Sequence, residues 1–267
     1  MADPPFERVA IVGSGLIGTS IRQAVGRAWP DVSVVPLDHG HDLSATAGAD
    51  LVVLAAPVRA NMALIDALQP HITADTVVTD TGSTKRAICA AAAAHPAMDF
   101  IGGHPMAGAA RGGAANARPD LFAGRPWILT PAPGNPTDAV TRLDTFVTGL
   151  GAAPHVMTPE LHDRFVGVVS HLPQLSASAL MHVVGKLAGD AGLEMAGAGL
   201  MDSTRLAASP PDIWKDIAAT NEDVLKDALD QLIRTLTDLR DTLDGGEGID
   251  TVFTSASRWR TTLERSR

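Results

Sequence analysis

Disulfide bonding is the first thing this chain cannot do, because its 267 residues hold a single cysteine, Cys89. A lone thiol forms no intramolecular bridge and fits a reducing compartment such as the cytoplasm. It lies in the alanine-rich run Ala87 to Ala94, where a buried structural thiol is expected. No apolar run is long enough to span a bilayer. Met1 to Glu7 carry neither the basic start nor the apolar stretch of a secretory signal. Positive charge is also scarce: 21 Lys and Arg stand against 30 Asp and Glu, a formal net charge of −9. That balance argues against nucleic acid and anionic membranes as partners. No metal site is expected. Tyrosine is absent altogether, and we have no physical account of that.

What remains is a chain with 45% hydrophobic and 19% charged residues, enough for a real core in one large or two small domains. Arg8 to Val12 is a short β-branched run and reads as a buried parallel strand. Gly13-Ser14-Gly15-Leu16-Ile17-Gly18 follows at once, then a helical stretch from Thr19 to Ala28 and a second β-rich run from Val32 to Leu37 that ends at Asp38. Strand, glycine turn, helix, strand and acid form the context that a dinucleotide fingerprint requires. Gly13 makes the tight turn, Gly15 lets backbone approach a diphosphate, and Gly18 lets helix and strand pack closely. The free N–H groups at the helix start, at Leu16 and Ile17, suit phosphate oxygens. Asp38 can accept hydrogen bonds from a ribose diol, and its charge would repel a 2′-phosphate. NAD is therefore the expected cofactor, with NADP a lesser alternative; His39 stands next to Asp38 where an arginine could have rescued NADP.

The alternation continues. Strands are expected at Asp50 to Ala55, Thr76 to Thr79, Trp127 to Thr130 and Pro154 to Met157. Helices are expected at Asn61 to Leu68, Lys85 to Ala94 (capped by Ser83 or Thr84) and Thr137 to Leu150. The segment from Asp38 to Ala49 is too short for a full helix. After Met157 the pattern turns helical, opening with Thr158 as N-cap and Pro159 at the first helical position. Further helices are expected at Leu200 to Ala207, Pro211 to Ala219, Asn221 to Leu243 and Thr251 to Arg265. The expected fold class is α/β: an N-terminal Rossmann-type, doubly wound parallel sheet over residues 1–157, then an all-helical domain over 158–267.

Candidate chemistry centres on Ile101-Gly102-Gly103-His104-Pro105-Met106-Ala107-Gly108. A short apolar run, Met98 to Ile101, reads as a strand end, and a stiff turn then holds one imidazole between glycines and proline. Residues 107–119 read as a long loop beside it, either a lid or a passive surface loop. Asp80-Thr81-Gly82-Ser83-Thr84-Lys85 belongs to the same carboxyl edge of the sheet. Ser170-His171-Leu172-Pro173-Gln174 interrupts a long helix with proline. Thr204-Arg205-Leu206 puts one arginine in an apolar helix, ahead of Asp212-Ile213-Trp214.

Together and in this order, these motifs resemble the prephenate/arogenate dehydrogenase family of tyrosine biosynthesis, from about Arg8 to Arg260. The resemblance implies NAD(P)-dependent oxidative decarboxylation of prephenate, or of its amino analogue arogenate, in a homodimeric enzyme. It implies that His104 binds the ring hydroxyl and Ser83 helps orient it. It further implies that Arg205 holds a substrate carboxylate and that His171 lines the substrate side, with Gln174 at a neighbouring substrate position. Some relatives carry a threonine–glutamate pair where Ala109 and Ala110 stand here, and a histidine where Gln174 stands. Both departures leave the choice between the two substrates open. From the chain's length, neither a fused chorismate mutase nor a C-terminal regulatory domain is expected. A rival reading is a reductase of β-hydroxyacids or imines, which would rely on a lysine in the second domain; Lys186, Lys215 and Lys226 sit in no such motif. A non-catalytic NAD-binding sensor would have no need of His104, Ser83 and Arg205 together.

Overall fold

A computed structural model of the chain describes residues 3–38, 40–108 and 112–265. It divides into two compact units, Met1–Glu222 and Asp223–Arg267. The first unit is built on a seven-stranded sheet. Its strands are β1 (Arg8–Val12), β2 (Ser33–Leu37), β3 (Leu51–Leu54), β4 (Val77–Asp80), β5 (Asp99–Pro105), β6 (Pro126–Pro131) and β7 (Ala153–Val156). They lie in the order β2-β1-β3-β4-β5-β6-β7. The crossover helices are α1 (Leu16–Ala28), α2 (Val58–Leu68), α3 (Arg86–Ala93) and α4 (Thr137–Gly149). Between β2 and β3 only a short 3-10 turn, Leu43–Thr46, bridges the gap, as the brevity of that segment requires.

Because successive strand side chains point to opposite faces, each strand feeds two cores. Val9, Ile11, Leu51, Val53 and Ile101 pack with Ile21, Val25 and Phe146 on one face. Ala10, Val52, Leu54, Val78 and Phe100 pack with Ile65, Leu68 and Ile88 on the other. Fully burying each such aliphatic side chain is worth roughly 1.5–3 kcal/mol, so the sheet is a rigid platform for what its carboxyl edge carries. The turn after β3 is pinned by Asn61, which is fully buried. Its Oδ1 accepts from the Ala56 N–H at 3.1 Å, and its Nδ2 donates to the Leu54 carbonyl at 3.1 Å.

The sheet is the doubly wound, mostly parallel one expected, with one antiparallel pair, β5 and β6, that sets His104 opposite Ile128. For the same reason β5 does not end at Ile101. Gly102 to Pro105 continue the strand, and their pairing with β6 replaces the anticipated turn. The paired glycines serve close packing rather than a reversal: a Cβ on Gly102 would lie 2.4 Å from Thr130 Oγ1.

Beyond β7 every described element is helical. Helix α5 (Pro159–Val166) starts as the sequence indicates, with Thr158 Oγ1 accepting from the Leu161 N–H at 3.2 Å and Pro159 in the first turn. A π turn, Gly167–His171, then joins it to α6 (Leu172–Leu193). The extra residue absorbs the missing N–H of Pro173 without ending the helix. Helix α7 (Ala198–Thr204), a 3-10 turn over Arg205–Ala208 and α8 (Pro211–Thr220) complete the first unit. The second unit consists of α9 (Glu222–Asp241) and α10 (Glu247–Arg265), broken by the glycine-rich stretch with Gly246 at φ 74°. Among the described residues no helix is long and apolar enough to cross a membrane.

Candidate active site

Two features meet the carboxyl edge of the sheet. The first is a cavity of about 350 Å³ lined by Gly13, Ser14, Gly18, Arg22, Asp38 and Ala114, among others. Gly13 adopts φ 118°, and a Cβ there would lie 2.7 Å from the Ala55 carbonyl; a Cβ on Gly18 would collide with the Gly13 oxygen. Both glycines are thus required by conformation or contact. Gly15 is different, since a Cβ on it would meet nothing within 4 Å. It is the N-cap of α1 with no side-chain cap, so the first helical N–H groups, from Leu16 onward, are left for an anion. The Leu16 and Ile17 side chains pack against the core. Asp38 lies at the end of β2, where its N–H donates to His41 Nδ1 at 2.9 Å. His39, weighed above for NADP, lies outside the described residues. A bare helix N-terminus, an open glycine and an acid at the tip of the second strand fit a dinucleotide. Arg22 is a lining residue that sequence reasoning missed.

The 107–119 loop falls partly on residues 109–111, which lie outside the described set, as do the Ala109 and Ala110 departures. Its later part reaches back to α1, with the Arg118 N–H donating to Ser20 Oγ at 3.1 Å, and Ala114 lines the cavity. The described part is therefore a wall of the dinucleotide cavity.

The second feature is a buried polar network around His104. His104 Nδ1 lies 2.8 Å from His162 Nε2, and His162 Nδ1 lies 2.7 Å from Asp163 Oδ1. Asp163 is fully buried and also accepts the backbone N–H groups of Lys85 at 2.7 Å and Arg86 at 2.9 Å, and Arg86 Nε at 3.2 Å. Asn221 closes the far side, donating to the Asp163 carbonyl at 2.9 Å and accepting from Arg86 Nη2 at 2.8 Å. Asp163 therefore caps α3 from another helix, which corrects the expectation that Ser83 or Thr84 would do so. Thr84 instead meets Thr220, with their hydroxyls 2.7 Å apart, and Ser83 is half-buried in the same turn.

Charge states follow from this geometry. Burial pushes the Asp163 carboxyl up, but the bonds from His162, Arg86 and Lys85 outweigh it and leave the group below its usual range, so it is ionised. A carboxylate only accepts, so His162 Nδ1 carries a proton and His162 Nε2 offers a lone pair. His104 must then donate from Nδ1, which leaves His104 Nε2 as a free base. Burial foremost, then His162, Lys85 and His171, hold the His104 imidazole well below its ordinary 6.5, and it is neutral. His171, carried inward by the π turn, is buried, with its Nδ1 unpartnered among the described residues. It meets the Trp214 ring edge-on at 5.9 Å. Burial, assisted by His162 and opposed by Asp163, takes it down to about 4.

The structure brings His104 and His171 into this electrostatic neighbourhood. It puts Arg205, itself exposed, at the start of a half-buried 3-10 turn, where no described residue holds its guanidinium. Gln174 is buried and committed to that turn. Its Nε2 donates to the Leu206 carbonyl at 2.7 Å, and its Oε1 accepts from Ser209 Oγ at 3.2 Å. His162 and Asp163 were missed altogether. In PELHDRFV they read as ordinary polar helix residues, and only their shared burial could have singled them out.

A dinucleotide cavity and a neutral, buried imidazole at the same carboxyl edge of the sheet are the parts of a dinucleotide-dependent dehydrogenase. Residues 14–156 match the nucleotide-binding domain of prephenate dehydrogenase, and residues 158–252 match the dimerization domain of prephenate dehydrogenase. The chain belongs to the prephenate dehydrogenase family. It is 30% identical over 257 residues to the prephenate dehydrogenase of Bacillus subtilis, covering 88% of this chain and 69% of that protein. It is 30% identical over 265 residues to the cyclohexadienyl dehydrogenase of Zymomonas mobilis, covering 91% and 90%. Among solved structures, the prephenate dehydrogenase of A. aeolicus in complex with hydroxyphenyl propionate and NAD+ has the same fold, with TM-score 0.86, 24% identity and coverage of 98% and 99%.

The environment of His171 generates a direct test. Its Hε1 proton resonance should titrate with a midpoint at about 4. A midpoint near the ordinary histidine value would place the ring in solvent.

Proposed function

We infer that the chain oxidises prephenate with NAD, releasing carbon dioxide and 4-hydroxyphenylpyruvate. The observation that carries this reading is the Asp163–His162–His104 chain of hydrogen bonds, which leaves one imidazole nitrogen unprotonated on the same carboxyl edge of the sheet as the glycine turn. Arogenate is the alternative substrate; the Zymomonas relative's name covers cyclohexadienyl substrates in general.

Gly13, Gly15, Gly18 and the start of α1 would hold the diphosphate of NAD, and Asp38 the adenosine ribose. When bound, NAD supplies the hydride acceptor. As the ring carbon bearing the hydroxyl gives up hydride, that hydroxyl must lose its proton. His104 Nε2 takes it, and the positive charge that develops on the ring is shared through His162 with Asp163. Loss of the ring carboxylate then restores aromaticity and requires no further base. Ser83, in the turn next to Lys85, shares the hydroxyl with His104. Arg205 pairs with a substrate carboxylate, where guanidinium makes two parallel bonds. His171 lines the substrate side as a neutral ring, and Gln174 acts there through the turn that it braces.

A homodimer accords with the C-terminal helices. In α10 no residue is buried, and Phe253 and Trp259 are 68% and 61% exposed. In α9 only Leu225 is buried, while Ile233 and Leu236 are more than half exposed. Apolar faces of that kind call for a partner surface, and a second copy supplies it. Sedimentation at micromolar concentration should give twice the 27.7 kDa chain mass; a monomer would remove this part of the reading.

Replacing His104 with Asn removes the base but keeps a polar side chain. We expect kcat to fall by roughly 10²–10⁴-fold, the range for loss of a general base, with NAD affinity unchanged. Because the reaction needs the neutral ring and the His104 pKa is depressed, kcat/KM in the wild type should hold at neutral pH. It should fall only well below the ordinary histidine value of 6.5. A His104→Asn enzyme that keeps most of its kcat, or keeps that acid limb, would move the base elsewhere. Replacing Arg205 with Leu should raise the KM for prephenate by roughly 3–5-fold, the upper range for an exposed charge pair, and leave NAD binding alone. An unchanged KM would make Arg205 a surface residue only.

A further inference from the structure

The Lys85 side chain is fully buried, and the proton path above does not use it. Its Nζ donates to Asp80 Oδ1 at 2.6 Å and to the Gly103 carbonyl at 2.7 Å. Asp80, also fully buried, accepts in addition the N–H of Gly103 at 3.0 Å and of Gly82 at 2.7 Å. The peptide that leads into His104 is therefore gripped at its carbonyl by Lys85, and the preceding peptide at its N–H by Asp80. There is no slack between them, since a Cβ on Gly103 would lie 2.5 Å from the Asp80 carbonyl and 2.9 Å from Thr79 Oγ1. Lys85 also reaches the other side of the imidazole. Its own backbone N–H donates to Asp163 Oδ1, the oxygen that holds the His162 ring.

We propose that Lys85 is the positioning residue of the active site. It joins a clamp on the His104 backbone to the clamp on the His104 ring, so that the base is held in one place and one orientation. Burying an ammonium is costly even when it is paired, and an apolar side chain of similar length would fill the same space. The charge is therefore retained for what it holds. Lys85 acts through Gly103 and Asp163 and meets no substrate atom. Its charge also joins His162 and His171 in disfavouring the imidazolium form of His104, while the carboxylates nearby, Asp80 and Asp163, are each engaged by several donors.

This inference rests on His104 being the base, and the two fail separately. Lys85→Met alone strands the Asp80 carboxylate, so the deciding variant is Asp80→Asn/Lys85→Met, which removes both charges together. In the folded double variant kcat should fall on the order of 10–100-fold, the effect of a slightly misplaced group. The dissociation constant for NADH, read by fluorescence, should stay within about twofold of wild type. The acid limb of kcat/KM should move to higher pH, because Lys85 opposes protonation of His104, whereas the Asp80 carboxylate lost with it acts on the neighbouring His162 ring. A folded double variant with wild-type kcat and an unmoved acid limb would overturn the proposal. Amide exchange of the wild-type protein gives an independent reading: the Gly103 N–H should exchange with the slowest core amides, and exchange at a loop-like rate would also overturn it. If the base assignment itself is wrong, the His104→Asn variant stays active whatever Lys85 does.

Discussion

The site depends on a carboxylate that never meets water. Asp163 has 0% side-chain exposure, and an ionised carboxyl in that position survives only if its lone pairs are filled by donors. They are filled from helix α3, by the Lys85 and Arg86 backbone and the Arg86 side chain, and by the ring next to it in sequence. Because Asp163 can only accept, it dictates every proton position outward along the chain of rings. One buried negative charge thereby sets the tautomer of His104 two residues away in the network. The same carboxylate ties the first helix after the sheet to the start of α3, so catalytic order and packing order share one anchor.

Much of the fold was legible because the signals were local. Arg8 to Val12 was delimited to the residue, since a β-branched run abutting glycine has no other reading. The glycine turn carried its own context of strand, helix and acid. Thr158 and Pro159 declared the start of α5. The active-site network was legible only in part, because its meaning lies in long-range contacts: His104 and His162 are 58 positions apart. Lys85 stood in a motif of interest, yet burial of a lysine cannot be read without knowing that Asp80 and the Gly103 carbonyl face it. The one strand misjudged, β5, has glycines and a proline that mimic a turn. Their true constraint is the two flanking strands: Thr130 of β6 leaves no room for a side chain at Gly102, and Asp80 and Thr79 of β4 leave none at Gly103.

Gln174 shows how one buried amide can fix a turn. Here the amide reaches two atoms of the following turn at once, the Leu206 carbonyl and the Ser209 hydroxyl. The amide offers two donor hydrogens and a carbonyl oxygen with two lone pairs, where a neutral imidazole offers one donor and one acceptor. The π turn next to it performs a related task. By taking up one additional residue it lets α5 and α6 run on despite Pro173, and it turns His171 inward against Trp214.

Cys89 has a consequence of a different kind. The thiol packs against Thr130, at 3.4 Å from its hydroxyl, and burial pushes its pKa up to about 11. At pH 7 only about one molecule in ten thousand then carries the thiolate, the form that oxidants and alkylating agents attack. With no other sulfhydryl in the chain, reaction with thiol reagents should be slow at neutral pH. Any cysteine introduced on its surface becomes the single labelling position, so fluorophores or spin labels can be attached to this enzyme without first engineering a cysteine-free background.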